Sequence, residues 1–193
     1  SFRGHKVPPG TYTVTVRHGS AVSTTSVSVH PNPTFSTTPA MYAEYDALME
    51  SMERSLTTMH DMVNNLHDVR KQIREVIKVL DDDHRALRDA ATQLVQRIQD
   101  WDSDMVQRKA KAYDDVENFE NKFTANYLFL INQTESVIPR VTRASRARHQ
   151  ELMEQWAVLR AEAESISTQV NSLNQQLWDA GIGAIRSGKQ RRS

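Results

Sequence analysis

Apolar residues recur every three or four positions from Thr38 to Leu80, at a mean spacing of about 3.5 residues. This spacing is typical of one face of a long helix that packs side by side with other helices. Thr38 and Pro39 suit the N-cap and the first helical position, so we expect the helix to begin there. Its predicted buried face consists of Met41, Tyr45, Leu48, Met52, Leu56, Met59, Val63, Leu66, Val69, Ile73, Val76 and Leu80.

A second helical segment follows the acidic run Asp81–Asp83, which is favourably placed at a helix start. Its apolar pattern stops at the polar and cationic residues 107–111 and then resumes, so we expect a kink or loop near residues 106–115. Before the interruption the face consists of Leu87, Ala91, Leu94, Ile98, Trp101 and Met105. After it the face consists of Ala112, Val116, Phe119, Phe123, Tyr127 and Leu130.

The third segment has the most regular face in the chain, and we expect Pro139 to open it and Gly181 and Gly183 to end it. That face consists of Leu152, Trp156, Leu159, Ala163, Ile166, Val170, Leu173 and Leu177. The three segments predict an elongated antiparallel three-helix bundle over residues 38–183 with an interrupted second helix. We expect residues 184–193 to form a basic flexible tail.

Residues 1–37 differ in kind, because they are rich in Thr, Ser, Val and Pro. Alternating apolar residues in 11–17 and 22–30, separated by His18-Gly19-Ser20, predict a β-hairpin in an otherwise mainly α protein. An isolated two-stranded hairpin is marginally stable in water. We therefore expect it to complete a sheet from another chain or from polypeptide that precedes Ser1; the alternative is a hairpin that lies on the helices.

The sequence also resembles part of a known protein family. The segment Val7-Pro8-Pro9-Gly10-Thr11-Tyr12-Thr13-Val14, followed by a second strand, a Pro-rich exit and long helices, resembles the C-terminal region of one bacterial family. The family comprises exported proteins with sortilin-type BNR-repeat β-propellers, often named glycosyl hydrolases. Residues 121–123, 137–139 and 171–177 are similar to its helical tail. The resemblance implies that residues 1–37 are the last hairpin of an immunoglobulin-like sandwich behind a propeller. It also implies export to the periplasm, the cell surface or the medium.

Composition narrows the function classes. Twenty-four basic residues balance twenty-four acidic ones, so no general attraction to nucleic acid or anionic membrane is expected. The chain has no cysteine, which excludes disulfides and thiolate metal sites. It holds no apolar run of about 18 residues, so we expect neither a membrane span nor a signal peptide within these residues. It opens at Ser1 without a methionine, which we interpret as a piece of a longer protein or a processed product.

No motif in the chain predicts catalysis, a cofactor site or a metal site. Asp81, Asp82, Asp83 and His84 offer calcium ligands, but three consecutive carboxylates cannot all converge on one ion, so capping and solvation are favoured. His60 and His67 are seven residues apart, whereas metal-binding pairs on a helix are usually four apart. For the three tryptophans, Trp101, Trp156 and Trp178, we expect core packing rather than a sugar platform.

The candidate interaction site is a basic patch at the start of the third helix, where cations oppose the helix dipole. The patch consists of Arg140, Arg143, Arg146 and Arg148. In an up-down-up bundle this end lies beside the start of the first helix, so we expect pairing within the chain. The acidic residues available there are Glu44, Asp46, Glu50 and Glu53. The alternative is an acidic partner or a lipid headgroup.

Three functions remain open. The first is a non-catalytic scaffold and protein-interaction module at the C-terminus of an exported propeller protein. The second is an accessory domain of a glycoside-acting propeller enzyme; this chain itself lacks the recognisable pair of carboxylates that glycoside hydrolysis needs. The third is a free-standing coiled-coil adaptor, with Tyr42, Met62 and Ile77 as dimer contacts. The partners implied are the polypeptide that completes the sheet, another protein, and in the third case a second copy of the chain.

Overall fold

The fold was determined as a computed structural model, which describes residues 4–110, 115 and 118–186. The chain is mainly helical, with an antiparallel hairpin followed by helices, so the predicted fold class is confirmed. The elements are β1 (Gly10–His18), β2 (Ala21–Val29), α1 (Pro39–Val79), a 3-10 turn (Asp82–His84), α2 (Arg85–Met105), α3 (Phe123–Ser136) and α4 (Arg143–Asp179). None of these helices is long and apolar enough to cross a lipid bilayer.

The hairpin pairs its two strands over their whole length, from Gly10 opposite Val29 to His18 opposite Ala21. Gly19 has a φ of 58°, and no non-glycine residue of the described chain has a positive φ. A glycine with positive φ at the first of two central positions defines a type II′ turn, whose twist matches that of paired strands. The local sequence therefore sets both the turn and the register.

The start of α1 follows the prediction. The Thr38 side-chain oxygen accepts a hydrogen bond from the Met41 backbone N–H at 3.3 Å, and the helix begins at Pro39. Thr38 is thus the N-cap and Pro39 the first helical residue, as expected. The predicted face is buried or half-buried throughout, and Met49, which the spacing had missed, is fully buried with it.

The chain divides into two compact units. The first contains the hairpin, α1 through Ser55, and Phe129–His149; its buried residues include Tyr45, Met52 and Ile131.

The second unit contains Leu56–Leu128 and the described part of the chain after Gln150. In this unit α2 runs antiparallel to the later part of α1 and to α4. Trp101 of α2 donates to the Leu159 carbonyl of α4 at 2.8 Å, and Arg97, four residues earlier, donates to Ser165 at 3.2 Å. All six residues predicted for the face of α2 are buried. The face of α4 is buried except at Leu159, which is half-buried.

The interruption of the second helical segment begins where the sequence placed it. α2 ends at Met105, and the Thr124 hydroxyl donates to the Met105 carbonyl at 2.8 Å, which satisfies a group that a helix end leaves open. The next helix begins only at Phe123. The predicted resumption at Ala112 and Val116 lies outside the described residues.

The boundaries of α4 need one correction. Pro139 does not open the helix, because α4 begins at Arg143 and the Thr142 side chain accepts the Ser145 N–H at 3.0 Å as its N-cap. At the other end Gly181 has a φ of 73° and its N–H bonds the Trp178 carbonyl. The Ile182 N–H bonds the Leu177 carbonyl, so the helix ends in a Schellman motif.

The segment after this helix end is fixed as far as the structure describes it. Ile185 is buried, and its backbone N–H and carbonyl both bond the Asn174 side-chain amide, at 2.7 and 2.9 Å. Arg186 bonds Gln72 of α1 through its backbone. The rest of the predicted flexible tail lies outside the described residues.

Candidate interaction site

One face of the hairpin carries most of its apolar side chains, and the other carries mainly hydroxyl groups. The register places Tyr12, Val14 and Val16 on the same side as Val27 and Val29. The opposite side carries mostly threonine and serine. Val14, Val16 and Val27 are 44, 63 and 44% exposed, whereas Tyr12 and Val29 are half-buried. The hairpin therefore does not lie on the helices with its apolar face covered, which removes that alternative.

Both edges of the hairpin carry backbone groups that point away from the partner strand. In a hairpin closed by a two-residue turn, the closing pair His18 and Ala21 exchanges its hydrogen bonds, and every second pair does so along the ladder. The outward N–H groups on β1 belong to Thr11, Thr13, Thr15 and Arg17, and those on β2 to Val22, Thr24, Ser26 and Ser28. Among the described elements no third strand joins this sheet.

A local contact fixes the entry to β1. The Tyr12 hydroxyl donates to the Pro8 carbonyl, four residues earlier, at 2.6 Å. The Tyr12 ring also lies over Gly10, where a Cβ would be 3.5 Å from a ring carbon. These contacts link Tyr12 to Pro8 and to Gly10 at the entry to β1.

The predicted basic patch is exposed, and one of its members is paired as expected. The Arg146 Nε donates to Glu44 at 2.8 Å. All four arginines are exposed, and among the described residues no ion pair joins Arg140 or Arg143 to an acidic side chain. The expected pairing within the chain is therefore found between Arg146 and Glu44, while Glu50 binds Arg54 at 3.3 Å instead.

The remaining two acidic residues of that set bind His5, a residue that the sequence pattern did not single out. His5 Nε2 lies 2.8 Å from Asp46 Oδ1, and His5 Nδ1 lies 2.9 Å from Glu53 Oε1. The His5 backbone N–H also donates to Glu53, at 2.8 Å. The ring stands edge-on to Tyr45, with centroids 5.8 Å apart and planes at 74°. The signal available in the sequence was the seven-residue spacing of Asp46 and Glu53, which puts both carboxylates on one helix face.

The charge state of this cluster follows from the hydrogen bonds. A carboxylate only accepts, so two carboxylates that bind both ring nitrogens require both to carry protons. Burial acts to lower the pKa of His5, but the hydrogen bonds and charges of Asp46 and Glu53 outweigh burial and raise it above its ordinary value of 6.5. The imidazolium form is therefore the one that the site stabilises.

The other candidates of the sequence form no site among the described residues. Asp81 precedes the 3-10 turn and its carboxylate lies 2.6 Å from His84 Nδ1, and all three aspartates are exposed. His60 is exposed, and no group of three or more potential metal ligands occurs in the described chain. Trp101 and Trp156 are buried as expected, whereas Trp178 is 71% exposed and does not pack in the core.

Comparison with known proteins assigns no family to the chain. No family model matches it, and neither a curated protein nor a solved structure does so.

Proposed function

We propose that the chain is a non-catalytic scaffold and protein-interaction module whose hairpin completes an immunoglobulin-like β-sandwich with strands from another stretch of polypeptide. The observation that carries this proposal is the exposed apolar face of the hairpin around Val14, Val16 and Val27. A two-stranded sheet with one apolar face gains stability when further strands cover that face.

The strand edges support the same proposal. Natural proteins protect free strand edges with charges, prolines or bulges, because an open edge pairs with other chains. β2 runs for nine residues without a charged residue or a proline, and β1 carries Arg17 as its one charged side chain other than His18. Such edges are typical of strands that are paired or covered in the finished assembly.

The bond between Tyr12 and Pro8 favours a sandwich over other sheets. In immunoglobulin-like domains a tyrosine near the start of strand F bonds the backbone a few residues upstream, and strands F and G form the last hairpin. Tyr12 occupies the third position of β1 and makes such a bond. In this assignment β1 corresponds to strand F, so its outer edge would pair with a further strand and β2 would be the last strand.

The wider setting rests on the sequence resemblance of residues 7–14 and of the helical region. In that setting the chain forms the C-terminal part of an exported β-propeller protein, and the helices serve as its scaffold. Export and the presence of a propeller are part of this proposal and have no support beyond the resemblance.

The test compares two double variants that differ only in the face they alter. Val14→Gln with Val27→Gln changes the apolar face, and Thr13→Gln with Ser26→Gln changes the opposite face of the same strands. In the isolated 193-residue chain both should leave the free energy of unfolding within about 0.5 kcal/mol, because the positions are exposed.

In the protein as its source organism makes it, the valine-face variant should lose protease resistance of the hairpin, while the opposite-face variant keeps it. Equal behaviour of the two variants there would contradict the proposal. Sedimentation of the isolated chain provides a second readout. A dimer that only the valine-face variant abolishes would identify the covering partner as a second copy of the chain rather than another polypeptide.

A further inference from the structure

We propose that His5 is a proton-dependent clasp, which in its protonated form holds the segment leading into the hairpin onto α1 and releases that segment when it loses its proton. The inference does not depend on what the hairpin pairs with. It concerns the contact between residues 4–9 and the helices of the same unit.

In the clasp, His5 makes three hydrogen bonds. The ring of His5 bridges two carboxylates on α1, and its backbone N–H donates to one of them, Glu53. The His5 side chain is 11% exposed, that of Glu53 20% and that of Asp46 37%, so water competes less for the bonds to Glu53 than for the bond to Asp46. The next residue continues the attachment, since the Lys6 backbone N–H donates to Glu135 of α3 at 3.0 Å.

The surrounding charges favour the protonated ring. The charges that act on it are those of Asp46 and Glu53, both on α1. Glu135 on α3 is a further acidic group beside the segment, and Tyr45, which faces the ring, is buried with its phenol neutral because burial raises its pKa. Of the arginines at the start of α4, Arg146 is bound by Glu44, which lies on α1 two residues before Asp46. The imidazolium of His5 is therefore surrounded by acidic groups from two helices, which favour its positive charge.

Loss of the ring proton breaks this arrangement whichever nitrogen gives it up. The deprotonated nitrogen presents a lone pair to a carboxylate oxygen that can only accept, so one attraction becomes a repulsion. Two backbone hydrogen bonds from the segment to helix side chains do not involve the ring, those to Glu53 and Glu135. After deprotonation these two backbone bonds act without the attraction of the ring charge. Residues 4–9 therefore detach from the helices more often.

The experiment is a pH titration of the 193-residue chain by NMR. Nitrogen shifts of the His5 ring report its protonation, and hydrogen exchange of the His5 and Lys6 amides, corrected for the intrinsic pH dependence, reports opening of the segment. We expect both ring nitrogens to be protonated at pH 6, below the ordinary histidine pKa of about 6.5. We also expect protection of the Lys6 amide to fall about tenfold or more as the ring deprotonates, the factor for loss of a charge-assisted bond.

Matched variants separate the clasp from general destabilisation. Glu53→Gln should bring the ring titration down toward that of an ordinary histidine, while Glu50→Gln, one turn earlier and bound to Arg54, should leave it unchanged. The indole N–H of Trp101, which is bound inside the second unit, serves as the probe of unfolding outside the unit that contains His5.

Two results would overturn the inference. One is a His5 ring that is neutral at pH values where histidine is ordinarily half-protonated, about 6.5. The other is protection of the Lys6 amide that stays constant through the His5 titration. Neither result depends on the hairpin having a partner, so failure here is distinguishable from failure of the proposed function.

Discussion

The Arg108 guanidinium folds back onto the Asp102 carboxylate and binds both of its oxygens, with Nη2 2.6 Å from Oδ1. Asp102 lies in the last turn of α2 and its side chain is 5% exposed, whereas that of Arg108 is 43% exposed. The Asp102 carbonyl also accepts the Val106 N–H at 2.9 Å. Asp102 thus bonds both Val106, the residue after the helix, and Arg108 beyond it.

Asp102→Ala should lower the free energy of unfolding by about 2 kcal/mol, the range for hydrogen bonds to charged groups. The larger loss expected of a fully buried pair does not apply, because Arg108 would remain hydrated. Chemical denaturation measures the change. Asp104→Ala, an exposed neighbour in the same helix, is the control and should change stability by less than about 0.5 kcal/mol. Equal losses from both variants would argue against a role for the pair.

The raised pKa of His5 predicts a loss of stability on the alkaline side. Because the folded pKa lies above the ordinary 6.5, the contribution of His5 is fully present below that value and is lost as pH rises through the folded pKa. Wild type should therefore exceed His5→Gln in stability by about 2 kcal/mol near pH 6, and the difference should shrink toward pH 9. Denaturation of both proteins across this range checks it. A difference that grows with pH would contradict the assigned charge state.

His67 should change the pH dependence of stability in the direction opposite to His5. Burial, with the positive charges of Arg108, Lys71 and Arg70, lowers the pKa of His67 below 6.5, and its Nδ1 accepts a hydrogen bond from Arg70 at 3.2 Å. Its contribution is present above 6.5 and is lost as pH falls through the folded pKa. We expect His67→Gln to lose less stability than wild type between about pH 7 and pH 5. The exposed His60→Gln serves as control and should follow wild type.

Two buried threonines of α3 offer a matched test of the helix-end bond. Thr124 donates to the Met105 carbonyl, whereas the hydroxyl of Thr134, also buried, has no hydrogen-bond partner within the described chain. Thr124→Val should cost about 1 kcal/mol because it leaves the carbonyl unpaired. Thr134→Val, with the same change of atoms, should be neutral or stabilising. Thermal unfolding of the two variants measures both, and a greater loss at Thr134 would refute the assignment.

The sequence predicted the elements whose signals are local or periodic. The face of α2 from Leu87 to Met105, the Thr38 cap and the Gly181 helix end could each be identified from a few neighbouring residues. The start of α4 was placed four residues early, because Pro139 and the Thr142 cap are both plausible helix starts and only packing decides between them.

Contacts between distant residues could not be predicted in the same way. His5 is 48 residues from Glu53, and no period connects a histidine in an extended segment to a helix face. The charge argument led to the acidic residues of α1 but assigned them all to arginines, because it started from the four cations at the start of the third helix, where they oppose the helix dipole. Asp102 was missed for a related reason: a charged residue on a buried face becomes understandable only once Arg108 is seen to return to it.

The central claim is that the hairpin completes a sheet with other polypeptide, and hydrogen exchange tests it most directly. The measurement compares the outward N–H groups of β1, at Thr11, Thr13, Thr15 and Arg17, in the isolated chain and in the protein purified from its natural source. The proposal predicts that these amides are unprotected in the isolated chain and protected by at least about tenfold in the natural protein, as for strand hydrogen bonds. Equally rapid exchange in both would contradict it.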